Sequence, residues 1–547
     1  MVLVAVGVIA WDLLLAVRTK AFLHIFQLEE YLTSSFGYWL SHNRSKYLGR
    51  SFITLGGGAT VLSAALLWSD GPRWEAEASL LIFASAGIIL FFTRQKRAAR
   101  KPLVLTARAR RLYVVALFLG AGVPAAALLL GVRLGALEAG KAYAAMVVLQ
   151  FLIVTFSGHV LALANLVLFP FENALRSRYQ RSAAKIVRVR KPKIIAITGS
   201  AGKTTVKEVL SFLLSTKYEV LRTPASFNTP MGVSKTIRDS LRDQHFFLVE
   251  MGAYKRGEIA RLCEMVGPPS IAIITHINEQ HMERFGSLQD IVRTKFECVE
   301  ALADQGVAVL NFDNPHIAEY SARFTGKRLV RYGTNDNPAE LELRGSDIRA
   351  GQHGASFNVS WLGAPPVEFK IGLLGKHNVL NVLAATAAAL ECGLEPKHIA
   401  YWIRQFSPPQ HRLQVIPSDN QVTVIDDSYN SNPDGILEAL QVLASFKPRR
   451  RILVTPGLVE LGGLQDGYNR RVGELAASCC DVVILVGPKQ TAKIREGLMK
   501  EEFPAQQLIV ARDFSEATNL LHSMSKSDDV ILLANDLPDQ HDEHLII

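Results

Sequence analysis

Hydrophobic and polar positions divide this chain into two kinds of pattern. Residues 1–17, 51–68, 78–93, 112–132 and 142–169 are long apolar runs with few charges. A membrane-spanning helix needs ~20 such residues, so the five runs predict transmembrane helices. The first is not read as a signal peptide, because no Lys or Arg precedes it and Asp12 lies inside it. "FQLEEYLTSSFGYWL" (26–40) is aromatic and amphipathic and predicts an interfacial segment. From Lys193 the apolar runs shorten and alternate with helical periodicity. "KIIAIT" (193–198), "FFLVE" (246–250), "SIAIITHI" (270–277) and "VAVLN" (307–311) read as buried strands, with a helix over 203–215 after the first. Short β segments follow over 340–372, then a helix over 377–392.

A second alternating series begins near His411. "VTVID" (422–426), "RILVT" (451–455), "DVVILVG" (481–487), "QLIVA" (507–511) and "DVILLA" (529–534) predict another parallel sheet. The predicted architecture is an N-terminal α-helical transmembrane domain followed by two α/β domains. These are a central domain of P-loop ATPase type and a smaller, Rossmann-like C-terminal domain. The boundaries are 1–175 for the membrane domain, 176–192 for a basic juxtamembrane linker, 193–410 for the central domain and 411–547 for the last.

Charge sharpens this division. Residues 1–193 carry 24 Lys+Arg against 8 Asp+Glu, whereas residues 194–547 carry 36 against 42. The basic excess belongs to the apolar half, so no nucleic-acid partner is expected. Arg18, Lys20, Arg44, Lys46 and Arg50 lie between the first two apolar runs. Arg94 to Lys101 and Arg108 to Arg111 lie between the third and fourth, and Arg176 to Lys193 follow the fifth. The alternate loops hold only Arg73, and Arg133 with Lys141. Positive charge accumulates on the cytoplasmic side, so the predicted topology is an outer N-terminus and cytoplasmic α/β domains at the inner membrane. Asp12 and His159, in or beside spans, are read as structural polar groups. The five cysteines show no metal or disulfide spacing and read as buried thiols of a reducing compartment.

The chemistry starts in "TGSAGKTTVKE" (198–208). Gly199, Ser200, Ala201, Gly202, Lys203, Thr204 and Thr205 form a short glycine loop between a strand and a helix. Glycines admit close approach of backbone N–H groups to phosphate, and the helix N-terminus adds its positive end. Lys203 would meet the β/γ-phosphates of ATP and Thr204 would ligate Mg²⁺. Glu250 ends one strand and His281 lies just past another, at the sheet edge where ligands bind. A carboxylate and an imidazole there could share a divalent ion with the phosphates.

In this order the blocks resemble the Mur ligase family, ATP-dependent amide-forming ligases of peptidoglycan synthesis, and within it the MurF type. The matching stretches are "TGSAGKTTVKE", "FNTPMGV" (227–233), "EMGAYKRGEIA" (250–260), "THINEQHMERFGS" (275–287), "TKFE" (294–297), "VLNFDN" (309–314), "GKHNVLNVLAA" (375–385), "HRLQ" (411–414), "DDSYNSNPDG" (426–435) and "VELG" (459–462). The resemblance implies an acyl-phosphate mechanism with Lys203, His281 and Lys295 as catalytic residues. It implies Thr204, Glu250, His281 and a carbamylated Lys295 as ligands of Mg²⁺, with two ions expected. Asn378 and Asn381 would lie on the adenine side, and Arg412 and Asp427 would reach the nucleotide from the C-terminal domain. Asn228, Asn430 and Asn432 would face substrate. The implied partners are a cell-wall precursor, UDP-linked or lipid-linked at the inner leaflet, and an amino acid or dipeptide such as D-alanyl-D-alanine.

The resemblance has departures. Five predicted spans stand where soluble MurF-type enzymes carry a UDP-sugar domain. "TPGLVELG" (455–462), Asn469 and "ANDLPDQ" (534–540) differ from the family pattern on the side expected to receive the amine. Two other readings follow: a related ligase with another product, of polyglutamate or cyanophycin type or modifying a lipid-linked glycan, and a nucleotide-binding membrane scaffold without ligase activity.

Overall fold

The computed structural model describes residues 2–50, 52–68, 73–93, 102–133, 139–225, 227–334, 341–417, 421–429 and 432–535. The chain divides into two compact units, one within residues 1–175 and one spanning Arg176–Asp536.

The first unit is entirely helical among its described residues. Two described helical stretches are long and apolar enough to cross a membrane, Ala107–Ala126 and Ser157–Arg190. Phe52–Trp68, Glu77–Phe92 and Lys141–Thr155 are apolar but shorter. The first predicted span lies in a helix over Val2–Leu28, whose sequence also carries Asp12, Arg18 and Lys20. Large apolar side chains point outward from the unit, with Val61 70%, Leu129 67% and Phe92 78% exposed. Polar groups point inward instead. Ser63 and Ser79 each donate a hydroxyl to the other's carbonyl at 2.9 Å, and Gln150 Nε2 donates to Asp12 Oδ1 at 2.9 Å. Asp12 is thus hydrogen-bonded to a neighbouring helix.

One sequence expectation for this half changes. The run 142–169 is not one helix: it breaks at Phe156 between Ala139–Thr155 and Ser157–Arg190. There the Thr155 and Ser157 hydroxyls donate to the Phe151 and Val154 carbonyls, competing with the helical ladder. The segment 26–40 runs from the end of the Val2–Leu28 helix into a second helix, Thr33–His42. Its Phe26, Phe36, Trp39 and Leu40 are buried together with Phe22 and Tyr47. The basic segment 176–192 is helical as far as Arg190. Ala183 and Val187, four apart on one helical face, are buried with Ile237 and Phe247 of the following α/β region.

The second unit holds two sheets. The first contains β1 (Lys193–Thr198), β2 (Val220–Arg222), β3 (Phe246–Glu250), β4 (Ile271–Ile274), β5 (Val307–Asn311), β6 (Arg328–Gly333), β7 (Leu343–Gly351), β8 (Gly354–Trp361) and β9 (Val367–Ile371). Their spatial order is β2-β3-β1-β4-β5-β6-β7-β8-β9. β1 to β6 run parallel, and β7, β8 and β9 close the sheet as an antiparallel meander. β3 and β5 are buried at every position, as parallel strands covered on both faces must be. Helices Lys203–Leu214 and Lys376–Glu391 cover one face, and Pro230–Ser240, Glu258–Val266 and Leu288–Glu300 cover the other.

The second sheet contains β10 (Gln414–Pro417), β11 (Thr423–Asp427), β12 (Arg451–Thr455), β13 (Val482–Val486), β14 (Leu508–Ala511) and β15 (Val530–Ala534), in the order β10-β11-β15-β12-β13-β14. All pairs are parallel except β10 with β11. β2, β6 and β10 escape the sequence pattern: β2 and β10 are short edge strands, and β6 carries Arg328 and Arg331 within its run. The cysteines are free, with Cys263, Cys298, Cys479 and Cys480 buried.

Candidate active site

β1 lies between β3 and β4, so the chain leaves the sheet in opposite directions on its two sides. Ligands bind outside the carboxyl ends of strands at such a point. The glycine loop sits there. Gly199 has φ +151° and Gly202 φ +81°. A Cβ on Gly199 would stand 2.1 Å from Thr275 Oγ1, and one on Gly202 would stand 2.2 Å from Asn381 Oδ1. Both positions therefore require glycine for lack of space as well as for conformation.

The loop is tied to the residues that follow β4. Ser200 N donates to His276 O at 2.6 Å, and Ser200 Oγ donates to Asn278 O and accepts from Asn278 N. Thr275 Oγ1 donates to Ala201 O. Thr205 is buried in the first turn of the helix that the loop opens. Lys203 Nζ curls over the loop and donates to Gly199 O at 2.7 Å and Ser200 O at 3.0 Å. Burial lowers its amine to about 8, against the pull of Glu250. Asn378 and Asn381 are buried beneath the loop. Asn378 donates to Leu374 O at 2.7 Å, and Asn381 donates to Asn378 Oδ1 at 2.9 Å. The structure thus gives Asn381 a contact with the phosphate loop, which the adenine-side expectation did not include.

Glu250, at the end of β3, is 1% exposed. Its Oε2 accepts from Thr204 Oγ1 at 3.1 Å and from Lys207 Nζ at 3.0 Å. Its Oε1 accepts from Asn228 Nδ2 at 3.4 Å, so Asn228 contacts the candidate metal ligand itself. Lys207 is fully buried and also donates to Ala225 O. Sequence reasoning missed it, although its spacing of four from Lys203 puts both on one helical face.

His281 has φ +63°, and its ring meets Tyr254 edge-on at 4.9 Å. Nδ1 lies 2.7 Å from Glu460 Oε2, which comes from the turn after β12. Burial lowers the imidazole's pKa, partly offset by the Glu460 carboxylate. Lys295, on the Leu288–Glu300 helix, is buried with its ammonium 5.9 Å from the Phe285 ring centre. Burial and then the neighbouring positive charge of Lys203 push its amine down to about 7. Thr204, Glu250, His281 and Lys295 therefore surround one polar end of the sheet. Among the described residues, no three His, Cys, Asp or Glu side chains form a metal cluster by themselves. The candidate donor set thus depends on a hydroxyl and on a modified lysine.

The second sheet contributes across the same cleft. Arg412 stacks on Tyr429 at 4.4 Å. Asp427 Oδ1 accepts from Leu413 N at 3.3 Å, and burial raises its carboxyl to about 6 despite nearby His377 and Arg412. Asn432 makes two contacts within the chain. Its Oδ1 caps the Pro433–Ala444 helix through Gly435 N and accepts from Asn278 Nδ2 at 3.0 Å. Asp434 joins it, accepting from Asn278 Nδ2 and facing His276 Nε2 at 3.0 Å. Asn430 and residues 536–540 lie outside the described residues. Asn469 is buried. Its Oδ1 accepts from Leu458 N and its Nδ2 donates to Leu458 O, so it shapes the 455–462 turn. The contacts of Glu460, Asp434, His276 and Asn278 escaped sequence reasoning because each pairs residues more than 150 positions apart.

Residues 197–389 match the Mur ligase middle domain and residues 411–535 match the Mur ligase glutamate ligase domain. The chain is 30% identical over 321 residues to the UDP-N-acetylmuramoyl-tripeptide–D-alanyl-D-alanine ligase of Escherichia coli (strain K12), covering 58% of this chain and 70% of that one. The chain belongs to the Mur ligase family. Its resemblance is to the MurF type. The enzyme of the same name from Mycobacterium tuberculosis (strain CDC 1551 / Oshkosh) is 34% identical over 326 residues, covering 56% of this chain. This Mur ligase spans 61% of that relative's length, less than two thirds. The crystal structure of MurF from Acinetobacter baumannii superposes with a TM-score of 0.59 at 27% identity, covering 68% of this chain and 79% of that one.

Proposed function

We propose that this Mur ligase is an ATP-dependent amide-bond-forming ligase that joins D-alanyl-D-alanine, or a similar amine, to a muramoyl-peptide carboxylate. One observation carries the reading. Lys203, Thr204, Glu250, His281 and Lys295 converge at the sheet's switch point, in a chain whose relatives are named for that reaction. The substrate carboxylate attacks the γ-phosphate of ATP, giving an acyl phosphate and ADP. The amine then attacks the acyl carbon, and amide and phosphate leave.

In this reading the loop amides and the Lys203 ammonium hold the phosphates, exchanging the Gly199 and Ser200 carbonyls for phosphate oxygens. Thr204, Glu250 and His281 fit Mg²⁺ as hard oxygen and nitrogen donors, and two ions are expected; bound there, they would neutralise charge between phosphate and carboxylate. Lys295 fits only after modification, because an ammonium beside Lys203 repels a cation. Its lowered pKa leaves much of the amine neutral near pH 7, the form that combines with CO₂ to give an anionic carbamate. Arg412 and Asp427 face the nucleotide from the second sheet. Contacts across the cleft exclude water from the acyl phosphate.

The first unit is proposed to embed in the inner membrane with the catalytic unit on the cytoplasmic side. Outward apolar side chains and two helices of spanning length support this. A lipid-linked carboxyl substrate presented at the inner leaflet is a variant of this reading, beside the UDP-linked one for which the relatives are named. The test supplies each precursor with D-alanyl-D-alanine to full-length protein and follows ADP release and product mass. Substrate-dependent ADP and a new amide are expected, lost in Lys203→Ala. Faster turnover of the UDP form removes the lipid-linked reading, and no stimulated ADP release from either removes the ligase.

A further inference from the structure

We propose that Glu460 is a positioning residue for His281, delivered across the cleft to fix which ring nitrogen faces the metal and phosphate site. The inference rests on the metal-site reading above. A neutral imidazole carries one N–H, and its other nitrogen offers a lone pair. His281 Nδ1 lies 2.7 Å from Glu460 Oε2. A carboxylate only accepts, so the proton resides on Nδ1 and Nε2 is left as the donor atom for a divalent cation. Metal-bound histidines characteristically give their second N–H to such an acceptor, which orients the ring and raises its basicity.

The carboxylate is held in place before any ligand arrives. Glu460 has φ +64° and Gly457 φ +82°, in a turn pinned from two sides. Asn469 bonds both the N–H and the carbonyl of Leu458, and Asn535 Nδ2 donates to Gly457 O at 2.7 Å. Arg284 approaches the other carboxylate oxygen at 3.7 Å and stacks on Tyr254, whose ring in turn borders His281. His281 follows β4 and Glu460 follows β12, so the imidazole acquires its acceptor only when the two sheets are docked. Docking also forms the His276–Asp434 and Asn278–Asn432 contacts. Completion of the metal site is thereby coupled to closure.

The test measures Mn²⁺ affinity of the full-length chain by electron paramagnetic resonance, in the presence of a non-hydrolysable ATP analogue. Glu460→Ala is expected to weaken Mn²⁺ binding about 10–100-fold, the usual consequence of losing such an acceptor. Glu460→Gln retains an oxygen that accepts the same bond and is expected to recover most of the affinity. Asp434→Ala, which breaks another contact across the cleft without touching His281, is expected to bind Mn²⁺ like the wild type. Unchanged affinity in Glu460→Ala overturns the proposal. So does a loss in Asp434→Ala as large as that in Glu460→Ala, because docking alone then explains the effect. Equal loss in Glu460→Gln and Glu460→Ala overturns the hydrogen-bond role. A wild-type chain that takes up no Mn²⁺ with nucleotide overturns the metal-site reading itself.

Discussion

Lys207→Met isolates the buried ion pair beneath the phosphate loop. Lys207 and Glu250 side chains are 0% and 2% exposed, with Nζ 3.0 Å from Oε2. Methionine keeps the length of the stem and removes the charge. Glu250 is then left with only neutral donors, Thr204 at 3.1 Å and Asn228 at 3.4 Å. Breaking a buried pair from one side costs about 3–5 kcal/mol, because the remaining charge stays desolvated. At roughly 2–4 °C per kcal/mol for a domain of this class, the melting temperature should fall by about 6–20 °C. Replacing both partners removes the stranded charge, so Lys207→Met/Glu250→Gln should recover most of that loss. A double-mutant cycle by scanning calorimetry should return a coupling of about 2 kcal/mol or more. The reasoning is refuted if Lys207→Met alone costs less than about 1 kcal/mol, the range of an exposed pair, or if Glu250→Gln recovers nothing.

Three further outcomes follow from the geometry. Asp427 has its carboxyl raised to about 6 from 3.8; the native state therefore holds a proton that the unfolded chain releases. Its contribution is full below about pH 3.8 and is lost as pH rises through about 6, so Asp427→Asn should flatten the fall in urea-unfolding stability over that window by at most ~2–3 kcal/mol. Gly199→Ala places a methyl 2.1 Å from Thr275 Oγ1 at φ +151°. With strain of about 1–3 kcal/mol, its affinity for an ATP analogue by calorimetry should drop by roughly 5- to 150-fold. Asn469→Ala strands the buried N–H of Leu458, whose carbonyl keeps Gln490 Nε2 at 3.4 Å; at about 1–3 kcal/mol for that group thermal stability should fall clearly, and unchanged melting would show that water replaces the amide.

The two units differ in what their patterns mean. In the first unit the large apolar side chains Val61, Leu129 and Phe92 face outward, while Ser63, Ser79, Asp12 and Gln150 meet inside. That arrangement suits a lipid surround, where packing and internal hydrogen bonds replace the hydrophobic drive between helices. The same continuous apolarity hides where a helix breaks. The interruption at Phe156 depends on Thr155 and Ser157 returning their hydroxyls to the backbone, and hydropathy does not register that.

The sequence by itself determined the order of elements in the catalytic half and the chemistry of its loop. β3, β5 and β12 fall on their predicted residues, because short β-branched runs between polar turns have few other ways to bury themselves. The glycine loop was legible because its demands are local: two positions without a side chain, then a helix start. The tertiary structure alone decided the partners. Nothing adjacent to Glu250 reveals that Lys207 reaches it under the loop. Nothing adjacent to His281 points to Glu460, 179 positions away. It also showed Asn432 capping a helix and Asn469 clamping a turn. Residue type and spacing reflect what one segment needs locally, whereas a hydrogen-bond acceptor supplied by another domain exists only once both sheets have folded and docked.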